Sequence, residues 1–203
     1  MRTRLSKSQR RSDILEKARQ LILARGLSNT EMEDIRLACR ISRGGLYHHF
    51  ANKRAVVAGL VEEEVEALVK VLETTHGSPF AALLRAGSSH LGKAKGVLSG
   101  LSTDDERLDY LSSLDQALAA HLSEPLRIRL KEAVLPNVDP GHVAELFLTI
   151  NAHINRREIL GQWRPAQAAG FAATALQMLV PMLRTPSDLE PIIADLKKQS
   201  ESS

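Results

Sequence analysis

Cysteine is almost absent from this 203-residue chain. Cys39 is its single thiol, so no disulfide framework can close within it. Aromatic residues make up 3 % of the sequence, so any core must be built from Leu, Val, Ile and Ala. No run approaches the roughly 18 apolar residues that a membrane span requires. The opening MRTRLSKSQRR is basic and polar and leads into no short apolar stretch, so it does not read as a signal peptide; a cytoplasmic protein is expected. His76, His90, His121, His142 and His153 are dispersed, and no Cys/His cluster has metal-ligand spacing. Nucleophile elbow, phosphate loop and dinucleotide fingerprint are all missing. No catalytic residue, metal or cofactor is expected, and an enzyme is disfavoured.

What is present is unevenly distributed. The net charge is +3, yet residues 1–55 carry 13 Lys/Arg against 5 Asp/Glu, while the remainder carries 14 against 19. A basic head and an acidic body suit a protein that meets a polyanion at one end. Charge alone equally allows a head that is basic only for solubility.

The apolar spacing is helical nearly throughout, with no convincing period-two segment and no internal repeat. Ile14, Leu15, Ala18, Leu21 and Ile22 mark a first amphipathic helix, and Gly26 stands where a left-handed cap belongs. Thr30 and Glu33 have capping-box spacing and predict a short helix buried through Met32, Ile35 and Ala38. Ser42 can cap a second short helix ending near His49. Asn52 can cap a long one with a stripe of Val57, Leu60, Val61, Val65, Leu68 and Leu72. Further helices are expected at about 79–95, 104–122, 124–135, 141–161, 165–184 and 187–198, with a Gly/Ser-rich loop near 96–103. The fold class is all-α, about ten helices.

Residues 30–50 thus hold two short helices joined by Cys39-Arg40-Ile41, the geometry in which a second helix enters the major groove. Leu46 and Phe50, four apart, can face the core, leaving Arg43, Gly44, Gly45, Tyr47, His48 and His49 outward. Two adjacent glycines weaken a helix by roughly 1 kcal/mol each. They make sense where the backbone must come close to a groove; a frayed loop is the other reading.

From about Ser8 to Val57 the chain resembles the tetracycline-repressor (TetR/AcrR) family. The resemblance rests on Gly26, Thr30, Ile35, Ser42, Leu46-Tyr47-His48-His49-Phe50 and Asn52-Lys53. It implies a homodimer with a DNA-binding domain over 1–55 and a helical ligand-binding and dimerisation domain over 56–203. Carried over by position, Thr30, Tyr47 and Lys53 would touch phosphates. Arg43, Gly44, Gly45 and His48 would face base edges, and His49 would be a backbone contact or a packing residue. The chain departs from the family at Cys39-Arg40, where Ala-Gly is usual, and at Arg36, where a small residue is usual. The first departure demands a non-glycine in a strained turn and offers Arg40 as a phosphate contact. The second predicts looser packing of that helix. Cys39 reads as a small buried hydrophobe. The implied function is a ligand-responsive transcriptional regulator, a repressor released from a palindromic operator. The rival classes are a small helical enzyme and a protein-binding adaptor.

In the body, polar residues interrupting apolar stripes are the candidates for an effector. Asp115 interrupts Leu108, Leu111, Leu118 and Leu122, while Asn151 and Asn155 share a face with Leu148 and Ile159. A structural hydrogen bond is the competing reading for each. Scarce aromatics favour a largely aliphatic ligand. The Ala/Gly-rich stretch 166–175, with Leu176, Leu179 and Met182/Leu183, predicts the dimer seam, or else a buried monomer helix.

Overall fold

Helices carry the chain wherever the computed structural model describes it, residues 6–84 and 97–201. The described residues form two compact units, one of 6–64 with 97–114 and one of 65–84 with 115–201. The first unit therefore runs past the boundary at 55 expected from the sequence.

The first unit starts with α1 (Lys7–Arg25), opened by a Ser6/Gln9 capping box and buried through Ile14, Leu15, Ala18 and Ile22. Gly26 ends it at φ 87°, ψ 159°, a backbone region that is essentially glycine's own. Next come α2 (Met32–Cys39), α3 (Arg43–His49) and the long α4 (Lys53–Thr74). Ser42 Oγ accepts from the Gly45 amide at 3.1 Å, and Asn52 Oδ1 from the Ala55 amide at 2.8 Å, so both expected caps form. The Thr30/Glu33 box does not. Helix α2 starts at Met32, and its cap is Glu31, whose N–H donates to Asp34 Oδ2 at 2.8 Å. Ala38 is exposed, and Cys39 takes the buried place four residues after Ile35. Gly59 lets α4 approach closely: a Cβ there would lie 2.9 Å from Phe50 and 3.0 Å from Leu15.

The start of α5 (Asp104–His121) completes this unit. Glu106 accepts from the Ser28 hydroxyl at 2.7 Å and the Ser102 amide at 2.8 Å, while the Leu27 amide donates to Gly100 O at 2.7 Å. Tyr110 is fully buried and donates to Glu64 at 3.1 Å. Leu108, expected on the buried stripe, is 40 % exposed.

The second unit contains the ends of α4 and α5, helical residues 79–84, α6 (Ser123–Ala133), α7 (Pro140–Ile159), α8 (Pro165–Leu179) and α9 (Glu190–Glu201). Phe80 packs on Phe147 with centroids 4.9 Å apart. Asp139 caps α7 through the Gly141 and His142 amides, with Pro140 in its first turn. The helix expected over 165–184 stops earlier. Pro181 lacks the amide that would continue it, and Val180–Met182 tightens to a 3-10 turn. Likewise Pro186–Asp188 is a 3-10 turn, which delays the last helix to Glu190. Residues 97–99 are helical rather than loop; the rest of that expected loop's start, and of the expected 79–95 helix, lies outside the described residues.

The Ala-rich face of α8 is buried inside the monomer. Ala168, Ala169, Ala173, Leu176 and Leu179 are 1–7 % exposed. A Cβ on Gly170 would sit 3.3 Å from Ser200 of α9, and Lys197 bonds Gln177 at 3.0 Å. These small residues admit the chain's own last helix, so they are not a seam left open for a second copy.

Candidate nucleic-acid interface

Helix α3 is held by its apolar side. Leu46 is 0 % and Phe50 2 % exposed, while Arg43, Gly44, Tyr47 and His48 project outward. The sequence pattern places Leu46 and Phe50 inward in the same way, whereas Gly45 and His49, expected outward, are half-buried. Arg43 lies over the Tyr47 ring at 5.7 Å, one turn along, so the guanidinium is steadied with its donors still open. Nothing lies within 4 Å of a Cβ built on Gly44. No internal packing therefore requires glycine there. His49 is half-buried, with its ring edge-on to His48 at 5.4 Å. Burial, then the electrostatic influence of His48, Lys7, Arg10 and Arg11, holds its pKa below the ordinary value.

The turn before α3 contains the one non-glycine residue with positive φ among the described residues. Arg40 adopts φ 53°, ψ 45°, the left-handed conformation that a glycine would enter freely. Its side chain is exposed. Arg36 does not loosen α2. Its Nε and Nη2 donate to Glu33 at 2.7–3.0 Å, and its Nη1 donates to Ile41 O at 2.9 Å. Cys39 is buried, and desolvation pushes its thiol up to about 11, so it stays protonated and inert.

Two residues carried over as phosphate contacts are already engaged. Thr30 is 0 % exposed, and its hydroxyl donates to Gly26 O at 2.7 Å while its amide donates to Leu27 O at 3.1 Å. Neither donor is open to an outside phosphate in this conformation. Lys53 Nζ donates to Leu27 O at 3.1 Å and lies 3.6 Å from Glu31. An ammonium has three donors, so these bonds leave capacity for an anion.

The effector candidates are not brought together. Asp115 lines an open groove of about 150 Å³ with Leu118, Ser123, Glu145, Leu148 and Thr149. Burial raises its pKa, and Arg156 opposes the shift. Asn151 lines a separate apolar cleft of about 10 Å³ beside Leu84, Phe147, Ile154, Ala172 and Leu176, and its amide donates to Phe147 O at 2.8 Å. Asn155, half-buried, lines neither space.

Several features escaped the sequence reading. Arg11 sits 5.0 Å over Phe50 and pairs with Glu62. His153, Trp163 and Phe171 form a mutual cluster with centroids 5.2–5.4 Å apart. In a chain so poor in aromatics, the nearness of Trp163 and Phe171 in sequence was the signal available.

A buried-faced second helix, a three-residue turn and a capped outward face define a helix-turn-helix protein. Residues 14–60 match the family described as bacterial regulatory proteins, tetR family. The match lies within the first unit, and there the chain is similar to that family. It is 35 % identical over 71 residues to the HTH-type transcriptional regulator UidR of Escherichia coli K12, a match covering 34 % of this chain and 36 % of UidR. It is 31 % identical over 65 residues to the HTH-type transcriptional repressor DhaR of Mycobacterium sp. GP1, covering 32 % and 33 %. The chain thus spans about a third of the length of these curated relatives. At 23 % identity it also aligns over 200 residues with the HTH-type regulator YfiR of Bacillus subtilis, covering 90 % and 96 %. Among solved structures, a TetR-family regulator from Syntrophomonas wolfei has the same fold, with TM-score 0.57, 15 % identity and 97 % of both chains covered. NalD of Pseudomonas aeruginosa gives TM-score 0.52 at 19 % identity over 88 % and 98 %.

Proposed function

We propose that this protein is a homodimeric transcriptional regulator of the bacterial cytoplasm, a repressor that binds a palindromic DNA operator and is released by a small molecule. The observation that carries the reading is the outward face of α3, with Arg43, Gly44, Tyr47 and His48 exposed over a fully buried Leu46. Arg43 is suited to a guanine edge, and Gly44 and Gly45 to close backbone approach. Tyr47, Arg40 and Lys53 are assigned to phosphates and His49 to the DNA backbone. Thr30 supports the loop that Lys53 holds. An enzyme or a protein-only adaptor leaves the bare Gly44 and the exposed Arg43 of α3 without a purpose.

The proposed dimer face differs from the Ala-rich stripe. Leu146 and His153 on α7 and Phe171 and Met178 on α8 are exposed, Met178 at 71 %, and Trp163 joins their cluster. An apolar strip shared by two long helices suits a second copy of itself around a two-fold axis. The effector is proposed to be small and mainly aliphatic, entering the cleft beside Asn151 by spreading its walls. Asp115 and Asn155 are the further polar candidates. Helix α4, which carries Lys53 at its start and Val65 and Leu72 further on, is the proposed link between effector and DNA.

Selection of bound fragments from the source genome, followed by titration of the selected duplex, tests the reading. Half-site centres should lie about 34–36 Å, or a multiple of that spacing, apart. Affinity should fall steeply with salt. Failure to enrich any sequence, or a flat salt response, would overturn it.

A further inference from the structure

We infer that Arg36 is a positioning residue for the recognition helix, locking a turn that Arg40 would otherwise strain; the inference rests on the reading of α3 as the DNA-contacting element. The chain places a non-glycine in the left-handed conformation at Arg40, φ 53°. A side chain there disfavours the turn by roughly 5- to 30-fold relative to glycine. Two residues later Ser42 must cap α3, since its Oγ receives the Gly45 amide. An error in the turn therefore displaces Arg43 and Gly44 directly.

Arg36 closes this gap from the other side. Its guanidinium grips Glu33 in the first turn of α2 with Nε and Nη2, and Nη1 reaches forward to the Ile41 carbonyl. The carbonyl it holds lies between the strained residue and the cap. The backbone adds an Ile41 N–H to Arg36 O bond at 3.3 Å, so side chain and main chain of one residue bracket the turn. One N–H on each of its three nitrogens is held by a protein acceptor and its side chain is only 25 % exposed, so the protein fixes the placement of the Arg36 fork. The planar five-donor geometry is required, because Lys cannot hold Glu33 and Ile41 O at once.

The test is a double-mutant cycle on the full-length protein, reading affinity for the selected duplex and its salt slope. Arg36→Ala keeps a good helix former on α2, so folding should be retained, as checked by circular dichroism and thermal melting. It should weaken binding about tenfold, the scale of one hydrogen bond from a charged donor, with the salt slope unchanged. Arg36→Lys keeps the charge and should fail nearly as badly. Arg40→Gly loses a cation and lowers the slope by up to about one unit, but it relieves the turn. In that background Arg36→Ala should cost less than about threefold. Equal losses in both backgrounds, a lowered slope for Arg36→Ala, rescue by Lys, or no loss at all would each overturn the inference while the DNA-binding reading stands. If the unaltered protein selects no DNA, both fall together.

Discussion

Glu64 offers a sharp test of how the first unit is held together. It sits on α4, where it accepts a hydrogen bond from the buried Tyr110 hydroxyl at 3.1 Å. Burial raises its carboxyl from an ordinary value near 4.5 to about 7; the bond from Tyr110 and the charge of Arg19 oppose the shift, and Glu63 adds to it. Between these two pH values the folded state keeps a proton that the unfolded state has released. Stability must therefore fall as pH rises from about 4.5 to 7, and the full cost persists above 7. The shift corresponds to about 3 kcal/mol. Residual solvent access around this half-buried group reduces that to about 2 kcal/mol. Glu64→Gln keeps the shape and an acceptor for Tyr110 but never ionises. Urea unfolding of both proteins should show them within about 0.5 kcal/mol at pH 5, with the variant ahead by about 2 kcal/mol at pH 8. The reasoning is refuted if the difference between the two proteins is the same at both pH values, because then ionisation of Glu64 contributes nothing.

Three further outcomes follow from the geometry. Leu46→Ala empties a fully buried site under the recognition helix; it should cost about 2–5 kcal/mol in denaturant unfolding and most of the DNA affinity. Arg43→Ala should relax preference at one base position for about 1–3 kcal/mol, whereas Lys53→Ala should weaken all sequences alike; a changed sequence preference for Lys53→Ala would remove it from the phosphate set. Phe171→Arg, on the exposed aromatic cluster, should give a folded monomer in sedimentation, while Leu176→Arg, 4 % exposed, should unfold the second unit instead. A dimer intact in Phe171→Arg would move the interface elsewhere.

Local chemistry was readable from the sequence and long-range pairing was not. Ser42 and Asn52 cap the helices they precede, because a cap acts on amides two or three residues away. Leu46 and Phe50 face inward for the same reason of spacing. By contrast Ser28–Glu106 and Glu64–Tyr110 join residues 78 and 46 positions apart, which no periodicity reports. Thr30 had capping-box spacing to Glu33, yet each found another partner: Gly26 O took the hydroxyl and Arg36 took the carboxylate. The small residues of α8 announced a close helix approach correctly, but composition cannot say which helix approaches. The partner proved to be α9 of the same chain.

The charge of the head illustrates the same limit and bears on its affinity. Thirteen cations in residues 1–55 suggest a strong polyanion surface. Arg2 and Arg4 lie outside the described residues. Of the rest, Arg10, Arg11, Arg19, Arg25, Arg36, Lys53 and Arg54 are each within ion-pair distance of a carboxylate. Only Lys7, Lys17, Arg40 and Arg43 are left without such a pair among the described residues. A cation that must leave a carboxylate to meet a phosphate releases little net charge, since the carboxylate then gathers its own counterion. With Lys53, whose third donor is open to an anion, five cations per head set a salt slope of about 4.5, or about 9 for a dimer. Counting every cation would raise that figure roughly 2.6-fold. The observed slope therefore separates a head that binds through its formal charge from one whose arginines are mostly committed to holding their own helices together.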